Sequence, residues 1–257
     1  MKELATRAAS GAVYVALVIG AVWLGPWATW FLFLVALMLA VKEWHALHWR
    51  GSREAFPKGV ILLAAWLAYM AFAPWWLHHD RGAIMGVALL AAAAGFIAIG
   101  AARSHARSRA LRFAILSLAW LALPMACAPL LVALDPLLFI GLMLLVWTND
   151  TGAYLVGRLI GRRKLMPAVS PAKTWEGFVG GAVLTLLAAW FWAPRCPSLG
   201  GAVWMMAGAA VSIAATAGDL FESWLKRRAG VKDSGRLMPG HGGVLDRFDG
   251  YLFAAPI

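Results

Sequence analysis

The chain has 257 residues, of which 62% are hydrophobic and only 14% charged, and it carries a formal net charge of +11. That balance excludes an ordinary water-soluble domain and a disordered chain, and it points to an integral membrane protein. Cys127 and Cys196 are solitary, with no CxxC pair, which excludes a disulfide scaffold and a cysteine-held zinc site.

In chain order, apolar runs predict helices over residues 8–25, 27–41, 60–77, 82–102, 113–134, 136–156, 178–194 and 199–217, then a stub over 250–257. A helix needs about 20 apolar residues to cross the hydrocarbon core, so the second run needs its flanks and the stub is too short. The first run follows MKELATR and lacks a small-residue cleavage site, so it reads as a helix and not as a removed signal. The expectation is an all-α, polytopic integral membrane protein with about eight transmembrane helices plus a short or truncated ninth.

Twenty-one of the 23 Lys and Arg residues fall in alternate connections, and only Arg81 and Arg195 fall in the others. The positive-inside rule then puts the N-terminus and the charged loops in the cytoplasm. Orientation accounts for most of the positive charge, so no nucleic acid is called for, and anionic membrane lipids are the natural partner of the remainder. Trp23, Trp27, Trp30, Trp44, Trp49, Trp75, Trp76, Trp190 and Trp192 lie near predicted helix ends and are expected in an interfacial aromatic belt.

Residues 1–257 read as a single membrane domain. Its first part, 1–134, is expected to be mostly structural. The part from 135 to 257 is the expected catalytic half, because it holds Asp150, Glu176, Asp219, Glu222, Asp233, Asp246 and Asp249, seven of the chain's twelve carboxylates. Gly157 and Gly161, and Gly177 and Gly181, have the GxxxG spacing that suits close helix packing.

Four blocks in that half carry chemistry. In VWTNDTGAYLVGRLIGRRK, Asn149 and Asp150 interrupt an apolar helix, where a carboxylate costs a few kcal/mol and is usually paired or functional. In SPAKTWEG, Lys173 and the hydroxyls of Ser170 and Thr174 sit in a loop before a helix whose first turn holds Glu176, an arrangement that can bind phosphate. In GDLFESWLKR, Asp219 and Glu222 share a helix face and suit Mg²⁺, while Glu222 and Lys226 have the spacing of an ion pair. The stretch from Ser223 to Asp249 sets Lys226, Arg227, Arg228, Lys232, Arg236 and Arg247 among Asp233, Asp246 and Asp249, around Pro239-Gly240-His241-Gly242-Gly243. Such a turn can form an anion nest, in which His241 donates to phosphate or acts in acid–base work. Each block also has a plainer reading: an interhelical hydrogen bond, a capped solvated loop, a salt-bridged surface, a tight turn before a helix. An ion or proton carrier would also use Asp150 and Asp219, but the charge gathers at one face and no inverted repeat is found.

The stretch SWLKRRAGVKDSGRLMPGHGGVLDRFD closely resembles the signature of bacterial-type phosphatidate cytidylyltransferases: S-x-x-K-R, four residues, K-D, a proline-glycine turn and H-G-G-x-x-D-R-x-D. WTNDTGAYLVGRLIGRRK, SPAKTWEG and GDLFES resemble the family's other blocks, so that the likeness covers residues 146–253. Met238 departs from the Ile, Leu or Phe usual before the proline, and the family's last helix continues beyond the point where this sequence reaches Ile257.

The resemblance implies that CTP and phosphatidic acid give CDP-diacylglycerol and pyrophosphate, with Mg²⁺ as cofactor and a second cation left open. It implies Asp150, Lys173, Asp219, Asp246 and His241 as catalytic residues. Lys173, Lys226, Arg227, Lys232, Gly242, Gly243 and Arg247 would bind phosphate, and Asp219, Asp246, Asp249 and Glu222 would hold metal. It places the protein in the inner membrane of a bacterium, multi-pass, with its active site on the cytoplasmic face, and leaves a homodimer open. A related CTP-using lipid or polyprenol kinase is the rival enzyme, against which the complete H-G-G-x-x-D-R-x-D block argues.

Overall fold

The structure is a computed structural model that describes residues 2–52, 56–76, 82–102, 107–235 and 242–257, with side chains described except at 2–8, 72–76 and 82–85. The helices are α1 Lys2–Trp23, α2 Pro26–His48, α3 Lys58–Trp76, α4 Gly82–Ala102, α5 Arg107–Leu116, α6 Leu123–Leu134, α7 Pro136–Ile160, α8 Trp175–Trp192, α9 Gly201–Arg228 and α10 Leu245–Ala254. Each of the eight apolar runs falls on a helix, the fifth on the rod that α5 and α6 form with the π-helical turn Ser117–Ala122 between them. Among the described residues five segments are long and apolar enough to cross a membrane: Pro26–His48, Arg107–Leu134, Pro136–Ile160, Trp175–Arg195 and Gly201–Arg228. Shorter apolar stretches occupy Ala9–Trp23, Lys58–Ala71 and Gly86–Ala102.

One feature corrects the expected secondary structure. The segment before α8 is not a loop but an antiparallel hairpin of β1 Lys164–Met166 and β2 Ser170–Thr174, with Lys164 opposite Thr174 and Met166 opposite Ser170. The fold is therefore nearly all-α. The last apolar run continues past residue 217 as one helix to Arg228, so Asp219, Glu222 and Lys226 share α9, as their spacing implies.

Local signals explain the boundaries. Gly25 takes φ +101, a left-handed conformation that suits glycine, and Pro26 then opens α2. Asp135 caps α7 by accepting from Leu137 N at 2.9 Å, again with a proline next. Thr174 caps α8, its Oγ1 accepting from Gly177 N at 3.1 Å. Pro124 has no N–H and its ring would crowd the carbonyl one turn back; the wider π turn just before it, with Leu123 N bonded to Leu118 O, removes that conflict.

The chain forms two compact units: Met1–Leu134 with Asp233–Asp246, and Asp135–Lys232 with Arg247–Ile257. In the first, the ends of α2 and α5 meet in an aromatic cluster. Trp44 stacks on Phe113 at 5.7 Å and meets Trp120 edge-on at 5.5 Å, while Arg109 lies 4.6 Å over Trp49 and donates to His48 O at 2.5 Å. Each aromatic pair contributes about 0.5–1.5 kcal/mol beyond area burial. Trp44 and Trp49 are thus buried and do not join the expected belt, because their helix face turns toward α5 and the π turn. Trp23, Trp27 and Trp190 are exposed.

In the second unit α7 and α8 pack backbone to backbone. A Cβ on Gly177 would stand 2.6 Å from Ala153 O and 3.1 Å from Gly157 Cα, and one on Gly181 would stand 2.8 Å from Asn149 O. Only glycine permits that approach, as the GxxxG spacing implies. A core of Leu145, Val146, Ala189, Val211, Ala215 and Trp204 joins α7, α8 and α9.

Candidate active site

The crossing of α7, α8 and α9 with the hairpin borders a half-open cavity of about 470 Å³, lined by Asn149, Asp150, Tyr154, Arg158, Ser170, Lys173, Thr174, Thr216 and Asp219 among others. Asn149 is buried and its Nδ2 donates to Thr216 Oγ1 at 3.4 Å, while its Oδ1 has no hydrogen-bond partner. Lys173, projecting from β2, sets its Nζ 2.5 Å from Asp219 Oδ2. Asp219 Oδ1 accepts from Ser223 Oγ at 3.3 Å. Thus three of the sequence-derived residues, Asp150, Lys173 and Asp219, line one cavity.

The electrostatics there are one-sided. Lys173 pairs with Asp219 beside Asp150, and Asp249 lies near both aspartates. Asp249 reaches this neighbourhood because α10 lies against α9 at Gly218, where a Cβ would stand 3.2 Å from the Asp249 carbonyl carbon. Among the described residues no group of three or more His, Cys, Asp or Glu side chains is gathered closely enough to hold a metal ion. Mg²⁺ needs only one or two carboxylates and keeps several waters. Asp150 and Asp219, both lining the cavity, supply that number of carboxylates.

The structure places the other expected residues as follows. Glu222 is fully buried and lies 3.4 Å from Lys226 Nζ, the ion pair that its spacing allowed. Arg227 donates from Nε to Val169 O and from an Nη to Val231 O, both at 3.3 Å, and so ties α9 to the hairpin turn. Glu176 accepts from Arg162 N at 3.0 Å and Arg163 N at 3.1 Å, closing the hairpin's base. Lys232 is exposed and Arg247 half-buried. His241 and Arg236 lie outside the described residues.

From Gly242 onward the described part of the signature turn is bonded to two carboxylates of the first unit. Gly242 takes φ +82. Asp246 Oδ2 accepts from Gly243 N at 2.7 Å and from Ser234 N and Oγ at 2.9 Å. Glu43, on α2, accepts from Val244 N and Leu245 N, each at 3.0 Å, and its Oε2 lies 3.0 Å from the same Ser234 hydroxyl, which has one hydrogen for the two carboxylates. Sequence reasoning missed Glu43. The available signal was a lone carboxylate within the last turns of an apolar helix.

A family described as the cytidylyltransferase family matches residues 5–257. Phosphatidate cytidylyltransferases from Staphylococcus aureus (strain COL) and Staphylococcus saprophyticus are each 47% identical to this chain, over 119 and 120 residues, and that from Staphylococcus haemolyticus is 46% identical over 119. Each match covers 44% of this chain and 44% of the relative, so the chain spans less than half the length of the relatives it matches.

Proposed function

We propose that this chain, which belongs to the cytidylyltransferase family, transfers the cytidylyl group of CTP to phosphatidic acid, giving CDP-diacylglycerol and pyrophosphate. The observation that carries the reading is the cavity in which Lys173 pairs with Asp219 beside Asp150. A phosphate oxygen of the lipid attacks the α-phosphorus of CTP, and the bond from that phosphorus to the bridging oxygen of the β-phosphate breaks as pyrophosphate leaves. The attacking group is already an anion, so no strong base is needed; positioning and charge neutralisation do most of the work. Lys173 exchanges its partner Asp219 for substrate phosphate, and Asn149 Oδ1 accepts from a donor within the cavity. Asp219 and Asp249 would hold Mg²⁺, which when bound neutralises phosphate oxygens. Asp246, His241, Gly242, Gly243, Lys232 and Arg247 keep the roles that the signature gives them.

The setting proposed is a bacterial inner membrane crossed about eight times, with the N-terminus and the site on the cytoplasmic face, where CTP is present; the distribution of Lys and Arg supports this. The test is the full chain in detergent with labelled CTP and phosphatidic acid, with and without Mg²⁺. Labelled CDP-diacylglycerol should form only with the metal, and Asp246→Asn should lower turnover about 100-fold or more while the protein stays folded. No labelled lipid from the unaltered protein would sink the reading.

A further inference from the structure

Leu245 opens α10 with Val244 just before it, and their N–H groups are among those for which a helix start offers no acceptor of its own. Glu43 supplies that acceptor from a different helix, one oxygen taking Val244 N and the other Leu245 N. A carboxylate at a helix start is favoured by the backbone dipole as well as by charge-assisted hydrogen bonds. Two glycines make room for it: a Cβ on Gly235 would stand 2.9 Å from Glu43 Cδ, and one on Gly243 only 2.5 Å.

The second oxygen does more than cap. Glu43 Oε2 also meets Ser234 Oγ at 3.0 Å, and that same hydroxyl lies 2.9 Å from Asp246 Oδ2. Ser234 further donates its backbone N–H to this Asp246 oxygen. One carboxylate therefore fixes the helix start and, through one serine, one oxygen of the aspartate that the signature makes catalytic. A helix cap alone would not need the serine link.

We propose that Glu43 is a positioning residue for the reaction, setting the side chain of Asp246 through Ser234 and the backbone of residues 242–246. The inference rests on the cytidylyl-transfer reading. Glu43→Gln keeps the shape but turns an NH₂ toward N–H donors, and Ser234→Ala removes only the link. Turnover of CTP and phosphatidic acid by the full chain, resolved into kcat and KM, is measured together with amide hydrogen exchange.

In both variants kcat should fall about tenfold or more with KM for either substrate within about threefold, and the double variant should be little worse than either single one. In Glu43→Gln, exchange should quicken over 242–246 and stay unchanged over 135–228. A kcat within about twofold of the unaltered protein, or faster exchange spread over the whole chain, would overturn the proposal. Should Glu43→Gln fail to fold, Ser234→Ala decides by the same kcat criterion. An inactive unaltered protein would count against the reaction instead, and the exchange pattern would still decide whether Glu43 holds the turn.

Discussion

Lys173 is the residue on which the site turns. Its ion pair with Asp219 is part-exposed, 23% for the lysine and 33% for the aspartate, so it adds little to stability; pairs of that kind are worth about 0–1 kcal/mol. Its larger effect is local, because it offsets the charge of Asp219 beside Asp150. Lys173→Ala should therefore cost about 100-fold in kcat/KM yet shift the melting temperature by no more than a few degrees. A rate left unchanged would assign the pair to a purely structural role. Glu222 and Lys226 show the opposite case. There the carboxylate is fully buried, and the pair belongs to the helix packing of α9.

Among the elements, the crossing of α7 with α8 bears most directly on the cavity. Lipid tails give no hydrophobic drive between helices, so this contact depends on close packing of small residues. Gly181→Leu would set new atoms against the Asn149 carbonyl, which is backbone and cannot turn aside. The helices must part, and Asn149 and Asp150 move with them. Overpacking of this kind costs about 1–3 kcal/mol or more. The variant should melt several degrees lower in detergent and lose activity, whereas Gly95→Ala, at a position with no atoms within 4 Å of the new methyl, should do neither.

This crossing was legible beforehand, since GxxxG spacing is a local pattern, and so were the helices, because apolar runs in lipid must satisfy their own backbone. The hairpin was not. Ser170–Thr174 contains Pro171 and no apolar alternation, and its closure depends on Glu176 reaching back to Arg162 and Arg163. Nor was the burial of Trp44 and Trp49, which is decided by Phe113 and Trp120, distant in sequence.

For the whole molecule, the charge distribution makes a checkable statement about sidedness. In a background lacking Cys127 and Cys196, a cysteine placed at Gly200 should react with a membrane-impermeant maleimide in intact cells, and one placed at Arg50 should react only after the membrane is breached. The reverse pattern would invert the proposed topology. Of the site as a whole, Asp150, Lys173 and Asp219 could be read together from the blocks that carry them. Glu43 stood out only as a lone carboxylate in an apolar helix; its partners, 191 to 202 positions away, are encoded by no local pattern.

That separation has a consequence in time. The first compact unit is made of Met1–Leu134 and Asp233–Asp246, so its last piece is translated only after nearly all of the second unit. At about 5–20 residues per second, Glu43 leaves the ribosome roughly 10–40 s before Ser234, Val244 and Leu245 exist. During that interval the carboxylate must be kept wet or held by a temporary partner. Assembly of the N-terminal helices is therefore clocked by the arrival of the C-terminal signature, and a nascent chain stopped short of residue 234 should be met by the membrane's quality control as an unfinished product.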